Sequence, residues 1–260
     1  MNVIEYNFEH YNTLAPNLYR KEKYRLQVEL LKLQEDAIIN KRKIAVCFEG
    51  RDTAGKSSTI NFFSEHLIPS NFKYVHLGIP TDEEKANWFE RWEKHLPKKG
   101  ELVLFDRSWY TRALIEPTLG YCTKTEYKKF MNKVNKWEKN LIKSDIELIK
   151  FYFSIDQDQQ KRRLSARKNS KLKYWKLSKS DQMMVDKWDL FTLYKNQMFD
   201  ITSTKIAPWV VVNANNKMIA RLSALRYLLN SFDYERKKTL EPPKWGEDLG
   251  NYSCYICLLY

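Results

Sequence analysis

Segment 50–57 of this chain has the residue types and the spacing of a phosphate-binding loop. Four residues separate Gly50 from Gly55, and Lys56 and Ser57 follow directly. Glycine lets the backbone curl so that successive N–H groups point at phosphate oxygens, and a helix beginning there adds the positive end of its dipole. The lysine supplies a mobile positive charge, and the serine hydroxyl can bind Mg²⁺. The residues predicted to hold phosphate are Ala54, Gly55, Lys56, Ser57 and Ser58.

Two acidic residues are placed to bind a divalent cation beside this loop. Asp52 lies inside the loop, where a carboxylate would repel phosphate unless a cation lay between them. Asp106 ends the apolar run 101–106, and the carboxyl ends of parallel strands meet at the ligand crevice. Because carboxylate oxygens suit Mg²⁺, both acids are predicted to bind this ion. The alternative for Asp52 is a side chain that caps the turn.

Arginines follow the second acid at once. Arg107 and Arg112 carry planar guanidinium groups that bind phosphate with two hydrogen bonds and offset charge as it builds in a transition state. Arg112 also stands four residues before Glu116, so an ion pair between these two side chains is the alternative interpretation.

A third basic feature lies far along the chain, where segment 159–180 contains no acidic residue. Arg163 and Arg167 are four residues apart, so a helix places them on one face. Such a segment predicts a lid, at about 159–185, that closes over phosphates and excludes water; a solvated basic patch is the alternative. Its basic residues are Lys161, Arg162, Arg163, Arg167, Lys168, Lys171, Lys173, Lys176 and Lys179.

Strands and helices that would position these residues alternate along the sequence. Apolar runs predict strands at 43–49, 72–77, 101–106, 147–154 and 209–213, and helical patterns occupy 19–39, 56–66, 83–95, 124–144 and 217–232. The run before the loop and the helix after it favour a phosphate loop over a chance glycine-rich turn. Alternation predicts a parallel sheet between helices, in one α/β domain over 1–260 with an irregular tail from about 240.

Composition narrows the class of partner. The chain has 260 residues and a formal net charge of +13, which indicates nucleic acid, an anionic membrane or a phosphate-rich substrate, or else a generally basic surface. No apolar run is long enough to span a membrane and the first residues lack a secretory pattern, so we expect a cytoplasmic protein. Cys47 is predicted to be a core residue. Cys254 and Cys257 form a Cys-x-x-Cys without a second pair or a nearby His, so no zinc site is expected, and the motif only weakly indicates a redox pair.

Four runs of this sequence resemble type 2 polyphosphate kinases, in the family's order, over roughly 19–230. Residues 48–56, FEGRDTAGK, resemble the family's phosphate loop, and residues 104–113, LFDRSWYTRA, its second acidic motif. Residues 174–178, YWKLS, are similar to its lid segment, and residues 207–212, APWVVV, to its last strand.

The resemblance implies a thymidylate-kinase-like P-loop sheet with a helical lid. It also implies Mg²⁺-dependent, reversible phosphoryl transfer between inorganic polyphosphate and nucleoside diphosphates (ADP or GDP to ATP or GTP), and homodimers or homotetramers without nucleic acid or membrane partners. By motif, Asp52 and Asp106 would bind metal, Lys56 and Arg107 would hold the transferring phosphates, and Arg167 would reach in from the lid. Candidates for a polyphosphate channel are then Arg112, Arg163, Lys168 and Lys171. Many members have glycine where this chain has Ser57, which leaves a direct contact of Ser57 with Mg²⁺ open.

Two other functions remain open at this point. An ATP-dependent nucleoside or nucleotide kinase shares the phosphate loop, the second acid and an arginine-rich lid, although Asp52 and the basic excess favour polyphosphate. A nucleic-acid-binding P-loop protein is the other, with exposed aromatic side chains that stack on bases. The aromatic residues expected to be exposed for that role are Trp109, Tyr110, Tyr174 and Trp175.

Overall fold

The computed structural model describes residues 3–7, 11, 15–177 and 179–240. Its described part contains one six-stranded parallel sheet with the strand order β1-β6-β5-β2-β4-β3. The predicted tail from about 240, with Cys254 and Cys257, and Ser178 of the lid motif lie outside the described residues. The strands are β1 (Ile4–Glu5), β2 (Lys43–Gly50), β3 (Phe72–Val75), β4 (Glu101–Asp106), β5 (Ile146–Ser154) and β6 (Trp209–Asn213).

Ten helices in the described residues surround this sheet. None of them is both long enough and apolar enough to cross a lipid bilayer. They are α1 (Pro16–Ile39), α2 (Lys56–Ser64), α3 (Asp82–Ala86), α4 (Trp88–Glu93), α5 (Ile115–Leu119), α6 (Lys124–Lys143), α7 (Gln157–Lys168), α8 (Lys179–Asp186), α9 (Trp188–Thr202) and α10 (Lys217–Asn230).

The central strand β2 is buried along almost its whole length, because helices cover both faces of the sheet. Parallel sheets of this kind carry near-continuous apolar strands, and the run from Ile44 to Phe48, which includes Cys47, is fully buried. On one face the core contains side chains of α1, α2 and α10, and on the other side chains of α4, α6 and α9. The predicted α/β class, with a parallel sheet between two helical layers, is confirmed, as is Cys47 in the core.

Some elements differ from the sequence expectations. β1 was not predicted, because an edge strand of two residues has no apolar run to reveal it. The single helix expected over 83–95 is two helices, α3 and α4, interrupted at Asn87 (φ −109°, ψ 53°). β3 ends at Val75 rather than at residue 77. α8, which begins within the predicted basic segment, and α9, which follows it, were not predicted as helices.

A buried charge network anchors the turn that follows β4. Lys150 of β5 lies 2.8 Å from Glu138 of α6 and donates to the carbonyl of Thr202 in α9. The indole of Trp109 donates to the other oxygen of Glu138. Trp109 and Tyr110 are both fully buried, so the expectation that they are exposed for base stacking is wrong. Both side chains pack in the core on one face of the sheet, where Trp109 donates to Glu138 and the hydroxyl of Tyr110 accepts from Lys150.

Exposed aromatic residues are present elsewhere, in the predicted lid. Tyr174 and Trp175 are 62% and 69% exposed, in a short 3₁₀ turn between α7 and α8. Their exposure agrees with the sequence expectation for these two positions.

Removal of Lys150 is expected to destabilise the fold strongly, because it strands the Glu138 carboxylate in the core without a counter-charge. Lys150→Met should lower the free energy of unfolding by about 3–5 kcal/mol, measured by urea denaturation. Lys139→Met, an exposed change on the same helix as Glu138, is the matched control and should stay within about 0.5 kcal/mol of the parent. A loss no larger than the control's would contradict a structural role for the pair.

Candidate active site

The phosphate loop lies between the carboxyl end of β2 and the first residue of α2, and its course depends on two glycines. Gly50 has a φ of 138°, and a Cβ atom there would lie 2.4 Å from the carbonyl oxygen of Phe153 in β5. Gly55, at the N-cap of α2, has a φ of 104°. A side chain at position 50 would therefore meet both backbone strain and a direct clash. The loop can turn back from the carboxyl end of β2 into α2 because both positions are glycine.

Lys56 reaches back across this loop. Its ammonium group is buried and donates to the carbonyl oxygens of Gly50 and Arg51, at 2.9 and 3.0 Å. Burial, followed by the charge of Arg107, lowers the pKa of Lys56. The lysine is thus held by neutral carbonyl groups, and its positive charge remains available to an anion.

Asp52 and Asp106 approach the loop from two sides. β2 and β4 are paired so that Phe48 lies opposite Asp106, which brings the second acid to the strand end from which the loop leaves. Arg107 lies 2.5 Å from one oxygen of Asp52, and the hydroxyl of Tyr74 donates to one oxygen of Asp106 at 2.8 Å. Burial alone raises the pKa of Asp52, but the charges of Arg107 and Lys56 outweigh it and the pKa is lowered.

These two carboxylates fit a Mg²⁺ site by the chemistry of their oxygens. Within the described residues, Oδ2 of Asp52 and Oδ1 of Asp106 accept no hydrogen bond from the protein, so each is available to a ligand. No group of three or more His, Cys, Asp or Glu side chains in the described part of the chain has the arrangement of a metal site. One or two carboxylates, completed by phosphate and water, are the usual ligands of Mg²⁺.

α7 lies over the loop and fastens to its backbone. Arg163 donates to the carbonyl of Thr53 at 3.1 Å and to the carbonyls of Ala214 and Asn215, both at 2.8 Å. Gln160, which had not been predicted, donates to the carbonyl of Asp52 at 3.1 Å. Arg163 therefore ties the predicted lid segment both to the phosphate loop and to the loop after β6.

Other residues of the basic segment are arranged less tightly. Arg167 lies 3.8 Å from Asp181 of α8. Burial raises the pKa of Asp52, and the charge of Arg167 helps those of Arg107 and Lys56 to lower it. Lys168 and Lys171 are exposed. The side chains of Lys176 and Lys179 lie outside the described ones.

Comparison with known proteins gives this arrangement a family. A model of "Polyphosphate kinase 2 (PPK2)" matches residues 13–240. The chain belongs to the polyphosphate kinase 2 family. A "GDP-polyphosphate phosphotransferase" of Mycolicibacterium smegmatis is 44% identical over 84% of this chain and 78% of the relative. One of Pseudomonas aeruginosa is 42% identical over 89% of this chain but only 65% of its own length.

Solved structures give the same fold. Polyphosphate kinase 2 of Arthrobacter aurescens is similar with a TM-score of 0.79 at 28% identity, over 88% of this chain and 84% of that one. A putative polyphosphate kinase 2 of Pseudomonas aeruginosa has a TM-score of 0.79 at 32% identity, and covers 84% of this chain. This chain spans 48% of that structure. Membership of the family thus rests on both sequence and fold.

Arg112, which was predicted to contact phosphate, has acidic and aromatic side chains as its partners instead. In this member of the polyphosphate kinase 2 family it is buried, forms ion pairs with Glu116 at 2.5 Å and Glu126 at 3.2 Å, and stacks 4.2 Å from the ring centre of Trp88. The ion pair with Glu116, which was the alternative interpretation, is therefore present. The structure places this guanidinium among these three side chains, and a contact with phosphate stays a prediction.

The serines of the loop occupy different environments. Ser57 is exposed at the first turn of α2. Ser58 donates its hydroxyl to the carbonyl of Gly55 at 2.8 Å, which helps to fix the start of the helix. Ala54 is buried, and its N–H donates to Arg51 within the loop.

Glu49 is a site residue that the sequence reasoning did not select. Its side chain is almost fully buried and accepts hydrogen bonds from the backbone N–H and the hydroxyl of Ser108, at 2.7 and 2.8 Å. These bonds hold the turn in which Arg107 adopts a left-handed φ of 68°, a costly conformation for a residue with a side chain. Burial raises the pKa of Glu49 to about 7, although Ser108 and the charge of Lys56 favour its ionised form. The sequence does contain a sign of this residue, because Glu49 is an acid near the end of an apolar strand, as Asp106 is.

Lys217 is a second residue that was missed, since nothing in its local sequence marks it. It begins α10, and its Cγ lies 3.5 Å from where a Cβ of Gly55 would be, so it packs directly on the phosphate loop. Burial and then the charges of Arg163 and Arg221 lower the pKa of Lys217 to about 8. A group of cations from the segment around α7 and from α10 therefore surrounds this side of the loop.

Replacement of Gly50 is expected to abolish the loop geometry. Gly50→Ala forces a Cβ against the Phe153 carbonyl in a backbone conformation that alanine avoids, so we expect a destabilisation of about 3 kcal/mol or more by thermal or urea unfolding, with loss of nucleotide binding. Gly78→Ala is the matched control, because a Cβ at Gly78 would have no atom within 4 Å. Equal effects of the two changes would contradict this account.

Proposed function

We propose that this chain catalyses Mg²⁺-dependent, reversible phosphoryl transfer between inorganic polyphosphate and nucleoside diphosphates, converting ADP or GDP to ATP or GTP. The observation that carries the proposal is the convergence of Lys56, Arg107, Asp52 and Asp106 at the carboxyl ends of β2 and β4, where each acid has one oxygen without a hydrogen bond from the described residues. Support comes from the relatives named for polyphosphate-dependent phosphotransfer to GDP and ADP.

The reaction requires little covalent chemistry from the protein. A terminal phosphate oxygen of the nucleoside diphosphate attacks the end phosphorus of polyphosphate in line. A new O–P bond forms, the bridging O–P bond breaks, and the shortened polyphosphate leaves with the electron pair. Positioning and charge neutralisation dominate such transfers. Lys56 and Arg107 would hold the transferring phosphoryl group and offset its charge, and no protein nucleophile is needed.

Mg²⁺, when bound, would neutralise phosphate oxygens, and Asp52 and Asp106 are the residues that would hold it. Arg107 is bonded to Asp52 through one oxygen only, which leaves the other to the ion. Arg167 would approach from a lid formed by about 159–185. Water exclusion by that lid favours transfer to nucleotide over hydrolysis of polyphosphate.

An ATP-dependent nucleoside or nucleotide kinase is the second candidate, because it uses the same loop and acids. The cations around Lys217 favour the longer polyanion, since they extend the positive surface beyond the phosphate loop itself. A nucleic-acid-binding role is less well supported, because two of its four expected stacking residues, Trp109 and Tyr110, are buried.

Four further expectations belong to this proposal. The protein is expected to act in the cytoplasm and to assemble as a homodimer or homotetramer. It is also expected to act without nucleic acid or membrane partners, with Arg163, Lys168 and Lys171 along the path of polyphosphate. Size determination in solution and binding assays with duplex DNA and anionic vesicles test these points directly.

The deciding experiment offers the protein both donors. With Mg²⁺, ADP and polyphosphate we expect ATP, and with Mg²⁺, ATP and polyphosphate we expect ADP and a lengthened polymer. Phosphoryl transfer from ATP to a nucleoside, with no ATP formed from polyphosphate, would instead support the second candidate. Nucleic-acid binding that survives Lys56→Ala, without turnover of polyphosphate, would support the third.

Loss of either metal-binding carboxylate is expected to remove most of the activity. Asp52→Asn and Asp106→Asn should each lower kcat with polyphosphate by at least about 100-fold, because each removes a charge at the reacting phosphates. Asp200→Asn, which neutralises an exposed acid on α9, is the control and should leave kcat within about twofold. Full activity of either variant would refute its metal role.

The cations around Lys217 are expected to make activity depend on the length of the polyphosphate substrate. Activity on long polyphosphate should fall more steeply with added salt than activity on short chains, because more contacts are screened. Lys217→Ala should raise KM for long chains severalfold with little change in KM for ADP. Lys205→Ala, at an exposed lysine before β6, serves as control. Equal salt dependence for long and short chains, or equal effects of the two lysines, would count against an extended basic path.

A further inference from the structure

Six lysine and arginine side chains are buried in the described part of the chain, and they fall into two groups. Four have a carboxylate as ion-pair partner: Arg91 with Glu84, Arg112 with Glu116, Lys150 with Glu138 and Arg226 with Glu22. The remaining two, Arg51 and Lys56, have no carboxylate within ion-pair distance among the described residues. Both belong to the phosphate loop.

Arg51 is stabilised instead by one face of α9. Its guanidinium carbon lies 3.4 Å from the ring centre of Trp188 and 4.4 Å from that of Phe191. One nitrogen, Nη2, donates to the carbonyl of Trp188 at 3.0 Å and to the hydroxyl of Thr192 at 2.6 Å. These three residues are spaced i, i+3 and i+4, so a single helix face holds the cation.

Such surroundings stabilise a cation without neutralising it. Aromatic faces attract the guanidinium through their quadrupoles, and carbonyl and hydroxyl oxygens through their dipoles, so none brings a net negative charge. Nη1 is buried and has no acceptor among the described residues. A guanidinium group stays protonated at neutral pH, so the side chain keeps its charge. The acids that influence it, Asp189 and Asp52, act only through space.

An unneutralised charge in a buried position acts over a longer distance than one in water. Arg51 is adjacent to the reacting groups, because its own carbonyl accepts the hydrogen bond from Lys56 and Asp52 is the next residue. Its guanidinium is enclosed by α9, so it makes no contact with a phosphate in the loop. The remaining effect on a bound anion is electrostatic.

We propose that Arg51 is a second cation of the phosphate loop, held charged between Trp188 and Phe191, whose field strengthens the binding of phosphate groups that it does not touch. This role deepens the proposed function and rests on phosphate binding by the loop. It does not depend on whether polyphosphate or ATP is the donor. The other explanation of the same contacts is purely structural: Arg51 attaches α9 to the loop, and its charge has no effect on phosphate binding.

Binding without turnover separates these two roles. Dissociation constants for inorganic triphosphate and for ADP are measured by calorimetry, together with the melting temperature, for the parent chain and three variants. Arg51→Met keeps the length of the side chain and removes the charge. Arg51→Lys keeps the charge and loses the planar stacking. Thr192→Val removes a hydrogen bond to Arg51 and leaves the charge in place.

We expect Arg51→Met to weaken triphosphate binding by roughly tenfold or more, with a smaller effect on ADP, which has fewer phosphate groups. Arg51→Lys and Thr192→Val should stay within about threefold of the parent, even where the melting temperature falls. Arg51→Met that binds triphosphate like the parent would overturn the proposal. The proposal would also be overturned if the loss of triphosphate affinity in the three variants were proportional to their loss of melting temperature.

Two of the variants decide the question even if Arg51→Met does not fold. Both Arg51→Lys and Thr192→Val retain a cation at this position while they weaken its attachment to α9. A loss of triphosphate affinity in either of them as large as that of Lys56→Ala would show that the attachment matters and the charge does not. Retained affinity in both, with a lowered melting temperature, is the result expected from the proposal.

Discussion

The ion pair between Arg107 and Asp52 joins the two halves of this site. Asp52 belongs to the phosphate loop and Arg107 to the turn after β4, and the 2.5 Å contact closes the gap between them. Because the pair is partly enclosed, it keeps the Asp52 carboxylate ionised, as the lowered pKa indicates. Arg107 contacts only one oxygen of Asp52, so the other oxygen of this ionised carboxylate would remain to hold a metal ion.

That ion pair depends on a turn the chain would not adopt by itself. Arg107 has a left-handed φ, and both amide groups after Asp106 are held by β2, one by the Phe48 carbonyl and one by Glu49. On the other side, Trp109 is tied to Glu138 in α6. Five successive residues thus have separate places: Asp106 and Arg107 lie beside the phosphate loop, Ser108 fixes the turn, and the next two aromatic side chains anchor it in the core.

Local sequence predicted those parts of the structure that local interactions determine. The predicted bounds of strand 101–106 match those of β4, Glu101–Asp106. A short apolar run that ends in an acid is typical of a buried parallel strand, so the local sequence was enough to find it. The loop followed from its glycine spacing. Contacts between residues distant in sequence could not be read this way. Glu49 and Ser108 are 59 residues apart, and Lys217 reaches Gly55 only because α10 and α2 pack in the same core on one face of the sheet.

The arginines show why a large positive charge is a poor guide to individual contacts. Arg112 looked like a phosphate ligand from its place after Asp106, yet its charge is neutralised by Glu116 and Glu126. Arg163 instead donates to three neutral backbone carbonyls, which hold it beside the loop without cancelling its charge. Neutralised cations contribute little field at the loop, whatever their number. The charges that matter for a polyanion are therefore the ones without an acidic partner, and burial beside carbonyl groups or aromatic rings identifies them where a count of basic residues does not.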